Sequence, residues 1–479
     1  MEERLKNLDY LFRPRSVAFV GATETIGKWG CIIFNNLVSG GYEGKVYPVN
    51  PGRESVFDFK CYPSVRDIPD EVDLAVFTVP ARQVVEVIDD CVAKGVKAGL
   101  VISAGFKELG GEYVALEAEL VAKARRGGML VVGPNSQGVC CTSNGLYPWM
   151  PFFFPPSGKV GVVSQSGNIQ SLLIGSMLSA GLGISKAVSS GNEADLKMED
   201  YLAYFAQDSA IDVIASYVEG VTDGRWFMER IRAVTKEKPV VILQGGRTQS
   251  GMAAAASHTG AIAVSSRLFD AACKQAGAIQ ARTVEEAGIV AVSFINRPLP
   301  RGRRVGIVTG GGGLGVIASD VCTNEGLDVV KLSDNTLSKI GEMMPEWWVP
   351  GNPVDLVAGL RFETIVPIIE ILMKSGEVDS LMFIFSGPPQ FEGAHSPRSD
   401  RGIDLSKMWD ALLKGFSSYV EAIHDLMHEL KVPFYQVTNH NFNENLQDID
   451  KHTASYLSIN SACRAVSAMA RYYEYCEGE

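Results

Sequence analysis

Long apolar runs are missing from this chain: no stretch reaches the roughly 18 uninterrupted apolar residues that a membrane helix needs. No membrane association is expected. A basic excess is missing too. Lysine and arginine total 44 against 55 aspartates and glutamates, a formal net charge of −11, which argues against nucleic-acid or membrane-surface partners. Anionic small molecules stay open, because local dipoles can hold them whatever the overall charge. The nine cysteines form no C-x-x-C and no Cys/His spacing suited to a metal. They read as reduced, mostly buried thiols in a cytoplasmic protein, not as a disulfide frame or a zinc site. The opening MEERLKNLDYLF is charged and amphipathic, unlike a signal peptide. The glycine-richest loop contains no G-K-[ST], which excludes a Walker-type ATP loop, and no low-complexity tract occurs.

What is present is a plan repeated three times: an apolar strand, a loop of small residues, then a helix. SVAFVGATETIGKWG places a strand at Ser16–Val20 and loop glycines at Gly21, Gly27 and Gly30. KVGVVSQSGNIQSLLIGSML places one at 160–163, followed by Ser164, Gln165, Ser166 and Gly167. RVGIVTGGGGLGVIASDVC places one at 305–308, followed by a loop over 309–315 that holds Gly311, Gly312 and Gly313. At roughly 150 residues per domain, 479 residues allow three. Proline-rich stretches near 148–159 and 296–304 set the boundaries at 1–150, 151–297 and 298–479. Fully apolar strands such as LAVFTV, PVVIL and SLMFIF alternate with helical patterns, which implies parallel sheets covered on both faces. The expected fold class is α/β, with an N-terminal Rossmann-like domain followed by two flavodoxin-like domains. The C-terminal run ACRAVSAMARYYEY reads as a core helix, and residues 390–404 as an exposed loop.

The chemistry concentrates at four places. His258 lies in GGRTQSGMAAAASHTGAIA, a run of small residues that leaves an imidazole mobile and unencumbered, as a travelling phosphoryl carrier requires. Ser164 can cap the helix that follows it, and the amides of Gln165, Ser166 and Gly167 would then face an anion at its positive end. The 309–315 loop offers the same with backbone alone. Glu219, at the end of the apolar strand ASYVEGV, is the candidate acceptor for the second imidazole nitrogen. The first loop argues against a nicotinamide cofactor. Its spacing is G-x5-G-x2-G, and its second strand, Lys45–Val49, ends in Asn50 where an acidic residue would bind a ribose. A nucleotide-containing ligand remains expected at the strand ends, with Lys45 as a phosphate contact.

The series LDYLFRPRSVAFVGAT, YEGKVYPVNP, ISAGFKE, GPN, SQSGN, GNEAD, YVEGV, SHTG, GGGGLGV and NPVDL resembles, in order and over nearly the whole chain, the α subunit of the NDP-forming (ADP-forming) acyl-CoA synthetases, relatives of succinyl-CoA synthetase. The resemblance implies a reversible ligase that joins a small carboxylic acid to CoA through a phosphohistidine and an acyl phosphate. It implies His258 as the phosphorylated residue and Glu219 as its orienting carboxylate. CoA would lie on the first domain, against Gly21, Ala22, Thr23, Lys45, Asn50, Pro80, Ser103 and Asn135. Ser164, Gln165, Ser166 and Gly167, with Gly311, Gly312 and Gly313, would hold phosphate. ATP or ADP with Mg would be bound mainly by a partner ATP-grasp β subunit, in an α2β2 assembly. The alternatives are a CoA-binding or acyl-CoA-sensing regulatory protein and a nicotinamide-dependent oxidoreductase. Ser136 and Gln137 stand where the family commonly has a cysteine after GPN, and Asn168 follows SQSG. With the aromatic segment 147–154, these suggest an acid bulkier or more polar than acetate, unless the rings simply pack the linker.

Overall fold

Three parallel sheets form where the apolar runs lie. The computed structural model describes residues 6–253, 265–295, 297–356, 362–385, 422–438 and 455–478. His258 and the segment 390–404 are outside this set. The chain divides into two compact units, Met1–Ala291 and Val292–Glu479.

The first unit holds two large sheets and a short antiparallel hairpin at Ser55–Val56 and Phe59–Lys60. One is made of β1 (Ser16–Val20), β2 (Lys45–Val49), β3 (Leu74–Phe77), β4 (Ala98–Val101) and β5 (Leu130–Val132), all parallel in the order β2-β1-β3-β4-β5. The other contains β6 (Val139–Cys141), β7 (Ser157–Ser164), β8 (Ile184–Ser189), β9 (Val213–Val218), β10 (Val240–Gln244) and β11 (Ile279–Ala281). Its order is β11-β10-β9-β7-β8-β6, with only β6 antiparallel. The second unit holds β12 (Arg304–Thr309), β13 (Asp328–Val329), β14 (Val354–Asp355), β15 (Ser380–Phe385), β16 (Phe434–Thr438) and β17 (Ser455–Tyr456). Their order is β13-β12-β15-β16-β17, with β14 also paired to the end of β12.

Counted along the parallel strands of each sheet, and leaving β14 aside, all three follow the doubly wound order 2-1-3-4-5. In each, the strand direction of the connections reverses beside the first strand, and the crevice that binds ligands in such folds opens at the carboxyl ends there. The small-residue loops identified in the sequence occupy those ends. Each leads into a helix: α1 (Trp29–Ser39), α2 (Gly167–Ser179) and α3 (Gly312–Asn324).

Burial explains the apolar runs. β1 and β3 are buried at every residue, as parallel strands covered on both faces must be. The C-terminal helix α4 (Ile459–Glu477) starts at Ser458, whose side chain accepts from Ser461 N–H, and buries Ala462, Val466, Met469 and Tyr472. It is core, as expected. The aromatic segment turns inward at Tyr147 and Trp149, while Phe152 and Phe154 stay exposed. Trp149 is fully buried, Tyr147 packs at a tilt against Phe154 with ring centroids 4.8 Å apart, and Asn36 of α1 donates to the carbonyls of Trp149 and Pro151 at 2.9 Å. Tyr147 and Trp149 thus pack the linker. One boundary differs from expectation: Val139, Cys140 and Cys141 pair with Val188, Ala187 and Lys186 of β8. The chain therefore enters the second sheet before residue 150. A three-residue strand carries too little alternation to be assigned from sequence. All nine cysteines are free, and only Cys476 is exposed. Among the described residues, no helix is long and apolar enough to cross a membrane.

Candidate active site

The carboxyl ends of the first sheet bring together seven of the eight residues expected at CoA. Gly21 follows β1 with φ +94, and its N–H donates to Val49 O at 3.0 Å. A Cβ there would stand 2.7 Å from Thr78 Oγ1, so the close approach of the two loops requires glycine. Ala22 and Thr23 continue this loop, and the Thr23 hydroxyl donates to Thr25 Oγ1 at 3.0 Å. Asn50 follows β2 and donates to Ala22 O at 2.9 Å. Pro80 precedes the helix Ala81–Lys94 after β3. Ser103 follows β4, and its hydroxyl donates to Val79 O at 2.5 Å. Asn135 follows β5 with φ +58, and its N–H donates to Ser103 O at 2.9 Å.

Lys45 is the exception. It is the first residue of β2, at the amino end of the sheet, and its ammonium is 2.7 Å from Asp70. Four further strand residues, about 13 Å of chain, separate it from the crevice, so the expectation of a phosphate contact is corrected. The cation at the right end is Arg53, in the loop after β2, paired only loosely with Glu24 at 3.7 Å. Its position after the Asn50-Pro51 turn was the available signal.

The loop 133–138 links this crevice to the second sheet. At one end Asn135 is bound to Ser103; further on, Gln137 lies against α2. A Cβ on Gly167 would be 2.5 Å from the Gln137 Cβ, and the Ser171 hydroxyl donates to Gln137 Oε1 at 3.1 Å. Ser136 is buried and donates to Ser189 O at 2.6 Å. It holds the loop and offers nothing to an acyl group. The neighbouring loop after β8 docks on the same segment: Asn192 N–H donates to Pro134 O at 2.8 Å. Asn192 in turn donates to Glu108 at 2.6 Å and Glu117 at 2.9 Å, and Lys107 reaches its carbonyl.

The start of α2 differs in detail from the expectation. Ser164 is the last residue of β7 and does not cap the helix. Its Oγ accepts from Ser166 N–H at 3.3 Å and donates to Ser166 O at 2.6 Å, a hydroxyl turn that steers the chain into the helix. Ser166 occupies the cap position without a side-chain cap bond. The Gln165 N–H is also committed, to Tyr217 O at 3.2 Å. The amides facing an anion are therefore those of the first helical turn, from Gly167 onward, which have no intrahelical acceptor. Glu219 follows β9 beside this turn. Its N–H donates to Gln165 Oε1 at 2.6 Å. Burial, together with the hydrogen-bonded Glu219 carboxylate, pushes the Tyr217 phenol well above its ordinary range.

A second carboxylate, Glu193, escaped the sequence reading although GNEAD contained it. It is 9% exposed and has φ +54. Its Oε1 accepts from the Ser190 hydroxyl at 2.7 Å and Met198 N–H at 3.1 Å. Burial pushes its carboxyl above the usual carboxylate range, against the pull of these bonds and of Lys197. Burial and the nearby Glu193 push Glu199 up to about 7.

In the second unit, Thr309 repeats the hydroxyl turn of Ser164. Its Oγ1 accepts from Gly311 N–H at 3.2 Å and donates to Gly311 O at 3.0 Å. Gly311 is the cap residue of α3, and a cavity of about 280 Å³ lies beside Gly312 and Gly315. An Asp355 oxygen would stand 2.9 Å from a Cβ on Gly312, while Gly313 faces open space. The positive end of α3 thus already faces a carboxylate.

Sequence comparison agrees with this layout. Family models match residues 15–142 (CoA binding domain), 157–294 (succinyl-CoA ligase like flavodoxin domain) and 305–386 (ligase-CoA domain). The α subunit of ADP-forming acetate–CoA ligase II from Pyrococcus furiosus is 37% identical over 90% of this chain and 94% of its own length. The α subunit of ligase I from the same organism is 44% identical over 79% of this chain and 83% of its own. A solved structure, the dinucleotide forming acetyl-coenzyme A synthetase 1 of Ca. Korarchaeum cryptofilum with phosphate and ADP, superposes with a TM-score of 0.84 at 33% identity and covers 98% of both chains. This chain belongs to the α subunits of the ADP-forming acyl-CoA ligases.

As an acyl-CoA ligase α subunit it is an acid–thiol ligase component, and the regulatory and oxidoreductase alternatives fall away. The name α subunit implies a partner subunit. The crevice residues suit CoA better than a dinucleotide. Asn50 spends its amide on Ala22 and on Gly52 N–H, and it brings no carboxylate to a ribose diol. Arg53 offers a cation to a phosphate.

Proposed function

We propose that this chain, working with an ATP-grasp β subunit in an α2β2 assembly, converts a small carboxylic acid, CoA and ATP reversibly into acyl-CoA, ADP and phosphate. His258 is the phosphoryl carrier, and Glu219 accepts a hydrogen bond from the ring nitrogen that stays unphosphorylated. The partner subunit holds the nucleotide with its Mg. The imidazole nitrogen attacks the γ-phosphorus of ATP, forming an N–P bond as the bond to ADP breaks. The substrate carboxylate then takes the phosphoryl group and frees the imidazole. CoA thiolate attacks the acyl carbon, and phosphate leaves with the electrons of the broken C–O bond.

One observation supports this reading most. The loop 133–138 touches the CoA crevice through Asn135 and the first turn of α2 through Gln137. A thiol carried by the first sheet and a phosphoryl group held at α2 can therefore meet across one loop. The amides of α2 stabilise the phosphoryl oxygens, and the Glu219 charge stabilises the imidazolium. Gly311, Gly312 and Gly313 form a second candidate phosphate stop, where Asp355 would have to be displaced or bridged. Incubation with the partner and γ-labelled ATP tests the reading. An acid-labile, base-stable label that vanishes in His258→Ala is expected. Full acyl-CoA synthesis by that variant would refute the carrier role.

A further inference from the structure

Gln165 is fully engaged without any ligand. A primary amide donates two hydrogen bonds and accepts two in this setting. Gln165 Nε2 donates to Glu193 Oε2 at 3.1 Å and to Gly220 O at 2.9 Å. Its Oε1 accepts from Glu219 N–H at 2.6 Å and from Gly220 N–H at 3.1 Å. The surroundings allow one orientation only, since two N–H groups face one end and a carbonyl and a carboxylate face the other. With its backbone N–H bound to Tyr217 O, nothing remains to offer a phosphate.

The three loops joined in this way lie level in the sheet. Ser164 is in register with Ser189 of β8 and with Tyr217 of β9. The next residue of the central strand is Gln165, and it reaches sideways to both neighbouring loops. Glu193 is itself anchored by Ser190 and Met198, so it forms the fixed end of the chain. The Glu219–Gly220 turn is the end being held.

We propose that Gln165 is a positioning residue. It locks the turn that presents Glu219 and couples that turn to the buried Glu193, so that the carboxylate meets the imidazole in one fixed geometry. This rests on the proposed role of Glu219 toward His258. It replaces the expectation that Gln165 binds phosphate.

The test uses the complex with the ATP-grasp subunit, measured as ATP synthesis from acyl-CoA, ADP and phosphate. In Gln165→Ala, kcat and the rate of His258 labelling should fall about tenfold to hundredfold, the scale of a misplaced catalytic group. The KM for phosphate should stay within about twofold. A rise of about tenfold in the KM for phosphate with kcat preserved would identify a phosphate ligand and overturn the proposal.

Gln165→Glu distinguishes coupling from simple packing. The new carboxyl still accepts from both amides but can donate to Glu193 or to Gly220 O only when protonated. The adjacent Glu193 favours that protonation. Activity of Gln165→Glu should therefore recover toward wild type between about pH 8 and about pH 6, whereas Gln165→Ala should not recover. Parallel pH profiles for the two variants would overturn the coupling. Should Gln165→Ala fail to fold, as judged by CoA binding to the first sheet, the pH profile of Gln165→Glu against wild type decides alone. Failure of the underlying reading looks different: the wild-type complex itself would then form no acid-labile label, and the proposal would fall with it.

Discussion

Asn50 holds Ala22: its Nδ2 donates to the Ala22 carbonyl at 2.9 Å while its Oδ1 accepts from Gly52 N–H at 3.0 Å. One side chain therefore closes the crevice loop after β1 onto the loop after β2. Asn50→Ala should weaken CoA binding about tenfold, the loss of roughly one net hydrogen bond of preorganisation. Asn50→Asp should weaken it further, because a carboxylate cannot donate to Ala22 and repels phosphate. Calorimetry of the purified chain reads both. Wild-type affinity in Asn50→Asp, or NAD binding where CoA fails, would refute the assignment.

Gly21→Ala should destabilise the first unit by about 2 kcal/mol or more, through strain at a positive φ and the clash with Thr78 and Val79. Chemical denaturation followed by tryptophan fluorescence measures the loss. A variant as stable as wild type would mean that the two loops separate at little cost.

Glu219→Gln keeps the shape of the side chain and the turn's bonds to Gln165 but removes the charge that the proposed function sets against the imidazole. Labelling of His258 should slow by about two orders of magnitude, the scale for an electrostatic partner at a reacting centre. CoA affinity, set by the first sheet, should not change. An unaltered labelling rate would place the orienting carboxylate elsewhere.

Glu199 makes stability fall with rising pH. Burial, with Glu193 as neighbour, raises its carboxyl from 4.5 to about 7. Between these values the folded chain binds a proton that the unfolded chain has released. The stabilisation is complete below the unfolded value and is lost as pH rises through the folded one. Glu199→Gln, which removes this titration, should be more stable than wild type near pH 8 by about 3 kcal/mol at most. The gap should close toward pH 5. Thermal melts across pH give the comparison, and a gap independent of pH would exclude Glu199 as its source.

The architecture was legible because burial on both faces of a parallel strand leaves an uninterrupted apolar run. The stretch Ser16–Val20 appears in the structure with the same ends, and 160–163 and 305–308 lie within the buried parts of β7 and β12. The placement of the candidate CoA residues was legible where they immediately follow a strand, since topology sends every such loop to one edge. Lys45 misled although the sequence already made it the first residue of its strand, at the end opposite the crevice. The bonding of Gln165 was illegible for another reason. Its partners, Glu193 and the Glu219–Gly220 turn, lie 28 and about 54 residues away, and no local spacing reveals that an amide is already saturated. Glu193 itself was hidden because its burial comes only from the fold, although its anchors Ser190 and Met198 are close in sequence.

β6 has a consequence for how the first unit can be divided and for how it is made. Val139, Cys140 and Cys141 take their strand partner from β8, about 45 residues further along, while Cys141 also bridges Leu146 locally. A fragment ending near residue 150 would keep this strand but lose its partner, while the remainder would expose the bare edge of β8. Unpaired edges of that kind recruit other chains. During synthesis this pairing cannot form until residue 188 has left the ribosome.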